Sequence, residues 1–347
     1  MKGSIYMAVI KVTPRTSISA LIASDDVNEG DVLLLEEGIY NQTVITFKNN
    51  IRIIAKGPGV IFDGNSTFFT AITLSNVVGV AIEGIKIRHY RADGISIISG
   101  SGNRIVNNTI NLVNTGIQVR GSNGNLAWKN EICNCTHGIL FTLGTGNNWI
   151  IENIVKDCSG NAFFSFSSGD SNNSFIANIA IRNGSSGLNL LGNNHLVLKN
   201  ILIDNGIGTV INDGSDSAVI GNTVKGSDSS GLSVQDRYRN YFAGDNHIKC
   251  NNRTGIENRS QFGMFLDNEI SYNSDNGILL DPNAVGNLVM DNKLVCNIPD
   301  NIVDRGTNNN LINNKEKPCE PCESPSDVCG DCSNEEIIKL EDTDFEN

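Results

Sequence analysis

An asparagine returns along this chain at a nearly fixed interval, and that interval limits the folds open to it. Asn108, Asn130, Asn153, Asn178, Asn200, Asn222, Asn246, Asn268, Asn292 and Asn314 are separated by 22, 23, 25, 22, 22, 24, 22, 24 and 22 residues. All but the last are followed two positions later by an apolar residue. A second marker trails seven of them by eight or nine residues: Gly116-Ile117, Gly138-Ile139, Gly187-Leu188, Gly208-Thr209, Gly231-Leu232, Gly255-Ile256 and Gly277-Ile278. Two markers in register define a repeat. Between them lie short alternating runs such as Ile117-Gln118-Val119-Arg120, β-branched and cut by Asn, Gly, Ser and Asp, which suit strands and corners rather than helices.

One such repeat cannot bury its own apolar face, so it must stack on copies of itself. Parallel stacking puts equivalent residues about 4.8 Å apart, and the Asn period becomes a ladder whose amides donate and accept between coils. Asn also tolerates a left-handed corner, and the marker Gly is expected to serve the same backbone need. From Val32 to Asn314 at roughly 23 residues per turn, the reading is all-β: a single-stranded right-handed parallel β-helix of about 12 coils. Ile18, Leu21 and Ile22, after Thr16 or Ser17 as a cap, predict a short amphipathic helix over the open first coil. The organisation expected is 1–30 as an N-terminal segment with that helix, 31–314 as β-helix and 315–347 as an acidic Cys-rich tail.

Charge supports the last boundary. The 347 residues carry a formal net charge of -12, and 315–347 holds 11 acidic and 3 basic residues, a net of -8. With Pro318, Pro321 and Pro325 it reads as a poorly ordered tail. The acidity disfavours nucleic acid, and a polyanionic partner would need a local basic exception. No run of 18 apolar residues and no export signal is visible, which places the protein in the cytoplasm by default, or on a cell or spore surface by a signal-independent route.

Gly30 to Gly64, with Asp31-Val32-Leu33-Leu34-Leu35 and Val60-Ile61-Phe62-Asp63, together with the Asn/Gly repeats to Asn314, resembles right-handed parallel β-helix proteins of the pectate-lyase-like superfamily. The generic Asn-rich members, among them nitrous oxide reductase accessory proteins and alginate epimerases, are the most similar. The resemblance implies the fold and leaves activity open, since that superfamily hosts lyases, hydrolases, esterases, epimerases, tailspikes and inert surface proteins. Its catalytic strings are missing. Thr136-His137-Gly138 only echoes a Gly-His-Gly, Asn41-Gln42 follows Gly38-Ile39-Tyr40 where an acid is expected, and Asp281-Pro282 continues with Asn283.

Candidate chemistry then rests on which residues alternate outward. Glu257 and Asp281 fall diagonally on adjacent coils with Arg259 on the rung of Asp281, a catalytic constellation for inverting hydrolysis or for proton removal from a uronate held through calcium. Gln235, Asp236, Arg237, Tyr238, Arg239, Asn212 and Arg120 are the accompanying substrate-binding candidates. The plainer reading is a solvated ion pair. Trp128 is expected in the core. Phe163, Phe164 and Phe166 must place at least one ring outward, as a sugar platform or a plain surface aromatic. His89, His137, His195 and His247 read as surface or corner residues, and Cys135 and Cys158 as stacked, buried free thiols within disulfide reach. In the tail, Cys319, Cys322, Cys329 and Cys332 form two Cys-x-x-Cys pairs that suit a zinc ion, disulfides cross-linking an assembly, or free thiols. The function expected is a carbohydrate-interacting surface or structural protein without a clear catalytic motif. The alternatives are a polysaccharide lyase, hydrolase or epimerase on the C-terminal coils, and a phage or virus fibre module.

Overall fold

The computed structural model describes residues 7–319. They fall into two compact units, Met1–Asn200 and Ile201–Asn347, each built from the same kind of coil. A coil lays three short strands on three faces, and every strand pairs in parallel with its equivalent in the next coil, so the fold is an all-β parallel β-helix. Its turns number about 13, close to the dozen expected.

In the first unit, the first face runs through strands such as Arg104–Val106, Leu126–Trp128 and Trp149–Ile151. The second runs through Thr109–Asn111, Glu131–Cys133 and Ile154–Lys156. The third contains Ile72–Val78, Asp93–Ser101, Thr115–Arg120, His137–Thr142 and Phe163–Ser165. On the first two faces the middle residue of each three-residue strand points inward: Ile105, Ala127 and Ile150 on the first, Ile110, Ile132 and Val155 on the second are all buried. Trp128 is therefore not a core residue. It ends its strand half-buried on the outside, where its indole Nε1 donates to Glu152 Oε2 at 3.1 Å. Period-two alternation over three residues buries only the centre.

The expected ladder is present. Each Nδ2 from Asn108 to Asn178 donates to the Oδ1 of the next Asn at 2.9–3.0 Å. The reason for Asn differs from the one expected. The left-handed residue is the one before it, namely Asn107, Lys129, Glu152, Ala177 and Lys199 at φ near +52 to +54°. The ladder Asn itself is chosen for its amide, which also caps a carbonyl of the preceding coil, as Asn130 Nδ2 does to Ile105 O at 2.9 Å. The marker glycines likewise answer to space rather than φ. A Cβ on Gly116 would sit 2.5 Å from Ile132 Cγ2 and 2.7 Å from Gly138 O. A second ladder, missed in the sequence, runs Asn103, Asn125, Asn148 and Asn173 at the corner before the first face. It ends at buried His195, whose Nδ1 accepts the Asn173 N–H at 3.4 Å.

The helix spans Ile18–Ala23 and buries Ile18 and Ile22. It lies along the strand Val44–Thr46, the first of the third face: Ser19 Oγ accepts the Ile45 N–H at 3.0 Å, and Gln42 Oε1 accepts the Ile18 N–H at 3.0 Å. Gln42 supplies the cap that Ser17 does not make. An edge strand that would otherwise be an open template is thus covered.

In the second unit the same three faces run through strands such as Phe242–Gly244, His247–Lys249 and Ile256–Asn258. Asn222, Asn246, Asn268, Asn292 and Asn314 form one ladder at 2.9–3.0 Å, and Asn251, Asn273 and Asn297 another at 2.8 Å. Strand pairing continues to Lys315–Lys317, which adds onto Lys293–Val295. Beyond it Cys319 is disulfide-bonded to Cys296 of the same chain, which corrects the readings of Cys319 as a zinc ligand, an intermolecular bridge or a free thiol. Cys322, Cys329 and Cys332, and most of the expected tail, lie outside the described residues.

Candidate functional site

The residues singled out from the sequence do come together in part. In the second unit, Leu232–Val234, Ile256–Asn258 and Ile278–Leu280 stack on the third face in the register that sets Glu257 beside Leu279 and Asn258 beside Leu280. Arg259 then falls opposite Asp281. Its Nη2 donates to Glu257 Oε1 at 2.7 Å, its Nε to Asp281 Oδ2 at 3.3 Å and its Nη1 to Gln235 Oε1 at 3.4 Å. Ser230 Oγ donates to the other Glu257 oxygen at 3.2 Å. The expected cluster exists, but each of the guanidinium's three nitrogens is already engaged by one of its members.

Around it, Asp236, Arg237 and Arg239 are exposed and Asn212 ends the strand Ile207–Asn212 half-buried. Tyr238 leaves the surface set: it is fully buried, its hydroxyl donates to Ser215 O at 2.9 Å and also bonds Ser217 Oγ, and its ring meets Tyr241 edge-on. After Gln235 the chain turns, and Tyr238 opens a short extra strand, Tyr238–Arg239, paired with Gly214–Ser215. That turn breaks the alternation from which its outward direction was read.

Arg120 belongs to a different site, in the first unit, which sequence reading did not assemble. Asp93, Thr115 and His137 occupy one column of the third face on successive rungs. Ser96, Gln118 and Leu140 form the next column, and Ile98, Arg120 and Thr142 the one after. With Phe69, Thr73 and Asn114 these side chains, Thr142 excepted, line an open cleft of about 420 Å³. The Gln118 amide, buried at 7% exposure, links the columns: its nitrogen donates to Asp93 Oδ2 at 2.8 Å and its oxygen accepts from Arg120 Nε at 3.2 Å. Burial raises the Asp93 carboxyl above its ordinary value, against the opposing pull of the Arg120 charge and the Ser96 hydroxyl.

His137 forms the far wall. Its ring packs against Phe164 at 5.5 Å between centroids, and a Cβ on Gly160 would come within 2.7 Å of its Cε1, so the close approach needs glycine. The Asn161 N–H donates to Nδ1 at 3.2 Å, which leaves the neutral ring's proton on Nε2. Burial pushes the imidazole below its ordinary value. On the near wall Phe69 is 66% exposed, with the Arg91 guanidinium 5.0 Å from its ring centre. Phe166, 61% exposed and edge-on to Phe164, is the outward ring expected of that run, while Phe163 is buried.

The signal for this cleft was in the sequence. Asp93-Gly94, Thr115-Gly116 and His137-Gly138 share the repeat period, yet the residue before the marker Gly is not on the strict alternation from which outward positions were read. Among the described residues no group of three or more His, Cys, Asp or Glu side chains is placed to hold a metal ion. The cleft offers Asp93 as its one carboxylate, where calcium takes six to eight oxygens.

Residues 38–200 match the family model described as right handed beta helix region. No curated protein matches the chain by sequence. Among solved structures it is similar to the catalytic domain of an alpha-1,3-glucanase in complex with tetrasaccharides, at 15% identity and TM-score 0.67, covering 92% of this chain and 67% of that one. It is also similar to a PL6 alginate lyase in complex with a trisaccharide, at 13% identity and TM-score 0.63, over 92% and 87%. A third similar structure is the A-module of the Azotobacter vinelandii mannuronan C-5 epimerase AlgE6, at 15% identity and TM-score 0.53, over 87% and 95%. At these identities the likeness shows the fold alone, a right-handed parallel β-helix. Among the described residues no helix is long and apolar enough to cross a membrane.

Proposed function

We propose that the protein is a polysaccharide-active enzyme that binds an acidic glycan in the Asp93–His137 cleft and moves a proton at the carbon next to the sugar carboxylate. The observation that carries this reading is the donor set of one cleft: a single half-buried carboxyl, a guanidinium and a neutral imidazole, on neighbouring strands beside an exposed aromatic ring. Hydrolysis of a glycosidic bond commonly uses two carboxyl groups about 5 to 9.5 Å apart, and Asp93 is the one carboxyl lining this cleft. Proton abstraction needs a base, a cation on the substrate carboxylate and a donor for the oxygen that gains charge.

Each role has a residue. Asp93, with its carboxyl raised by burial, is a stronger base than an exposed aspartate once ionised. Arg120, already oriented through Nε by Gln118, presents its two terminal nitrogens to a carboxylate and supplies the local basic exception that an acidic chain needs to bind a polyanion. His137 offers Nε2–H as a donor, oriented by the Asn161 N–H at its other nitrogen. Phe69 provides a face for a sugar ring. The similar structures of a lyase with a trisaccharide and of an epimerase support placing an acidic polysaccharide on such a fold.

The test pairs binding with turnover on a panel of uronate and neutral polysaccharides. The expected result is affinity for uronate chains, together with either unsaturated products or solvent deuterium entering the polymer. Asp93→Asn should cost at least about 100-fold in rate while binding persists. Arg120→Ala should weaken binding of uronate chains. Asp93 works ionised, so the rate should rise with pH through its elevated pKa. Binding without product would leave a glycan-binding protein, and no affinity for any acidic glycan would sink the proposal.

A further inference from the structure

All three cysteines of the first unit, Cys133, Cys135 and Cys158, are free, and two of them stand in a repeat-related position. Cys133 pairs with Lys156 across the second face, so the following residues align in turn: Asn134 with Asp157, then Cys135 with Cys158. Asn134 and Asp157 are both left-handed, at φ 54° and 57°, so the two chains turn the corner alike and project the next side chain in the same direction. The Ser159 N–H donates to Cys135 O at 2.9 Å, which locks the two corners together. Adjacent rungs are about 4.8 Å apart, inside the span of Cα separations a disulfide bridges. In the second unit a corner after the second-face strand does carry a bridge: Cys296, left-handed just past Lys293–Val295, is joined to Cys319 with Cα atoms 4.2 Å apart, one position off the register in which Lys293 pairs with Lys315, whereas Cys135 and Cys158 stand in register.

We propose that Cys135 and Cys158 are a site of reversible oxidation that converts two buried thiols into a disulfide stapling neighbouring coils. The oxidant is of the peroxide class. The Cys158 thiolate attacks one peroxide oxygen, forming a sulfenic acid and releasing hydroxide, which takes up the proton lost from Cys158. The Cys135 sulfur then displaces the sulfenic oxygen, and with the Cys135 proton that oxygen leaves as water. Two thiols and one peroxide become one disulfide and two waters, with two electrons passed to the oxidant.

The roles follow from the contact between the two sulfurs: the neighbouring Cys135 holds Cys158 below its ordinary value, and Cys158, with burial, raises Cys135 above its own, while in the reduced pair the thiols point to the carbonyls of Cys133 and Lys156, 3.2 and 3.7 Å away. Cys133 is partly exposed and belongs to the outward position of its strand, so it stands outside the pair. The staple would stand next to the cleft along the chain: His137 is two residues past Cys135, and Gly160 and Asn161, which hold its ring, follow Cys158. The inference does not depend on what the cleft binds.

Peptide mapping without reduction, before and after mild peroxide treatment, tests it together with the melting temperature. The expected result is a Cys135–Cys158 linked peptide, loss of two thiols and a melting temperature raised by roughly 3 to 6 °C, as expected when a loop of this length is closed in a chain of this size. Cys135→Ser and Cys158→Ser should each abolish both effects, and Cys133→Ser should retain them. Thiols that survive peroxide, a linkage through Cys133, or a bridge without a thermal shift would overturn the proposal.

Discussion

Asn153 shows how much one side chain carries in this fold. Its Oδ1 accepts from both the backbone N–H and Nδ2 of Asn130, and its own Nδ2 donates to Ala127 O and Asn178 Oδ1. Replacement by Ala strands several buried groups, and we expect a loss of about 2 to 4 kcal/mol, read from the denaturant midpoint. Asn153→Asp keeps the acceptor but loses the donor and buries a charge, so it should cost at least as much; a near-neutral Asp variant would show that the ladder matters only as an acceptor row. One residue before the next ladder position, Asn178, Ala177 occupies the left-handed corner at φ 52° without the permissiveness of glycine. Ala177→Gly relieves that conformation at some cost in unfolded-state entropy, and a net gain of up to about 1 kcal/mol is expected. A destabilised glycine variant would mean that the corner carries no strain.

The elements of this protein are too short to be stable alone, and their interest lies in how their edges are managed. Most strands outside the third face of the first unit are two to four residues long, and each is held by its neighbours in the stack. The first strand of the third face, Val44–Thr46, is covered by the Ile18–Ala23 helix, anchored by Ile18 and Ile22. Ile18→Asp should lift that helix and expose an edge flanked by Ile45 and Phe47, which are already 41% and 73% exposed. The expected consequence is concentration-dependent aggregation in light scattering, with the coil repeat otherwise intact by circular dichroism. A monodisperse variant would show that the helix is not an edge cover. The helix was legible because three apolar residues at helical spacing followed a Ser/Thr pair; its cap was not, because Gln42 reaches it from 24 residues away.

At the scale of the whole molecule, buried histidines tie stability to pH. His195 and His137, both in the first unit, are held below the ordinary value of 6.5 chiefly by burial. A folded-state pKa below the unfolded one means that the unfolded chain binds protons first as pH falls. Their contribution to stability is therefore fully present above about pH 6.5 and declines below it, down to the depressed folded values. Denaturation midpoints at neutral and mildly acidic pH should show this loss, and His195→Asn, which restores an amide to the end of the second ladder, should reduce it. An equal acid loss in that variant would place the sensitivity elsewhere.

The sequence by itself determined the architecture, because a repeat of about 23 residues that cannot bury its own apolar face has to stack, and stacking makes a period into a ladder. It also placed Arg259 against Glu257 and Asp281, since register within a stack is arithmetic. Tertiary structure decided the rest where that arithmetic fails. A turn after Gln235 sent Tyr238 into the core. Three-residue strands turned Trp128 outward. The column of Asp93, Thr115 and His137 opened into a cleft because its depth depends on Phe69, Asn114 and Gln118, which reach it from loops and neighbouring strands. Periodicity fixes which residues are neighbours along the stack, while the path of the corners fixes which way they face, and only the folded chain contains those corners.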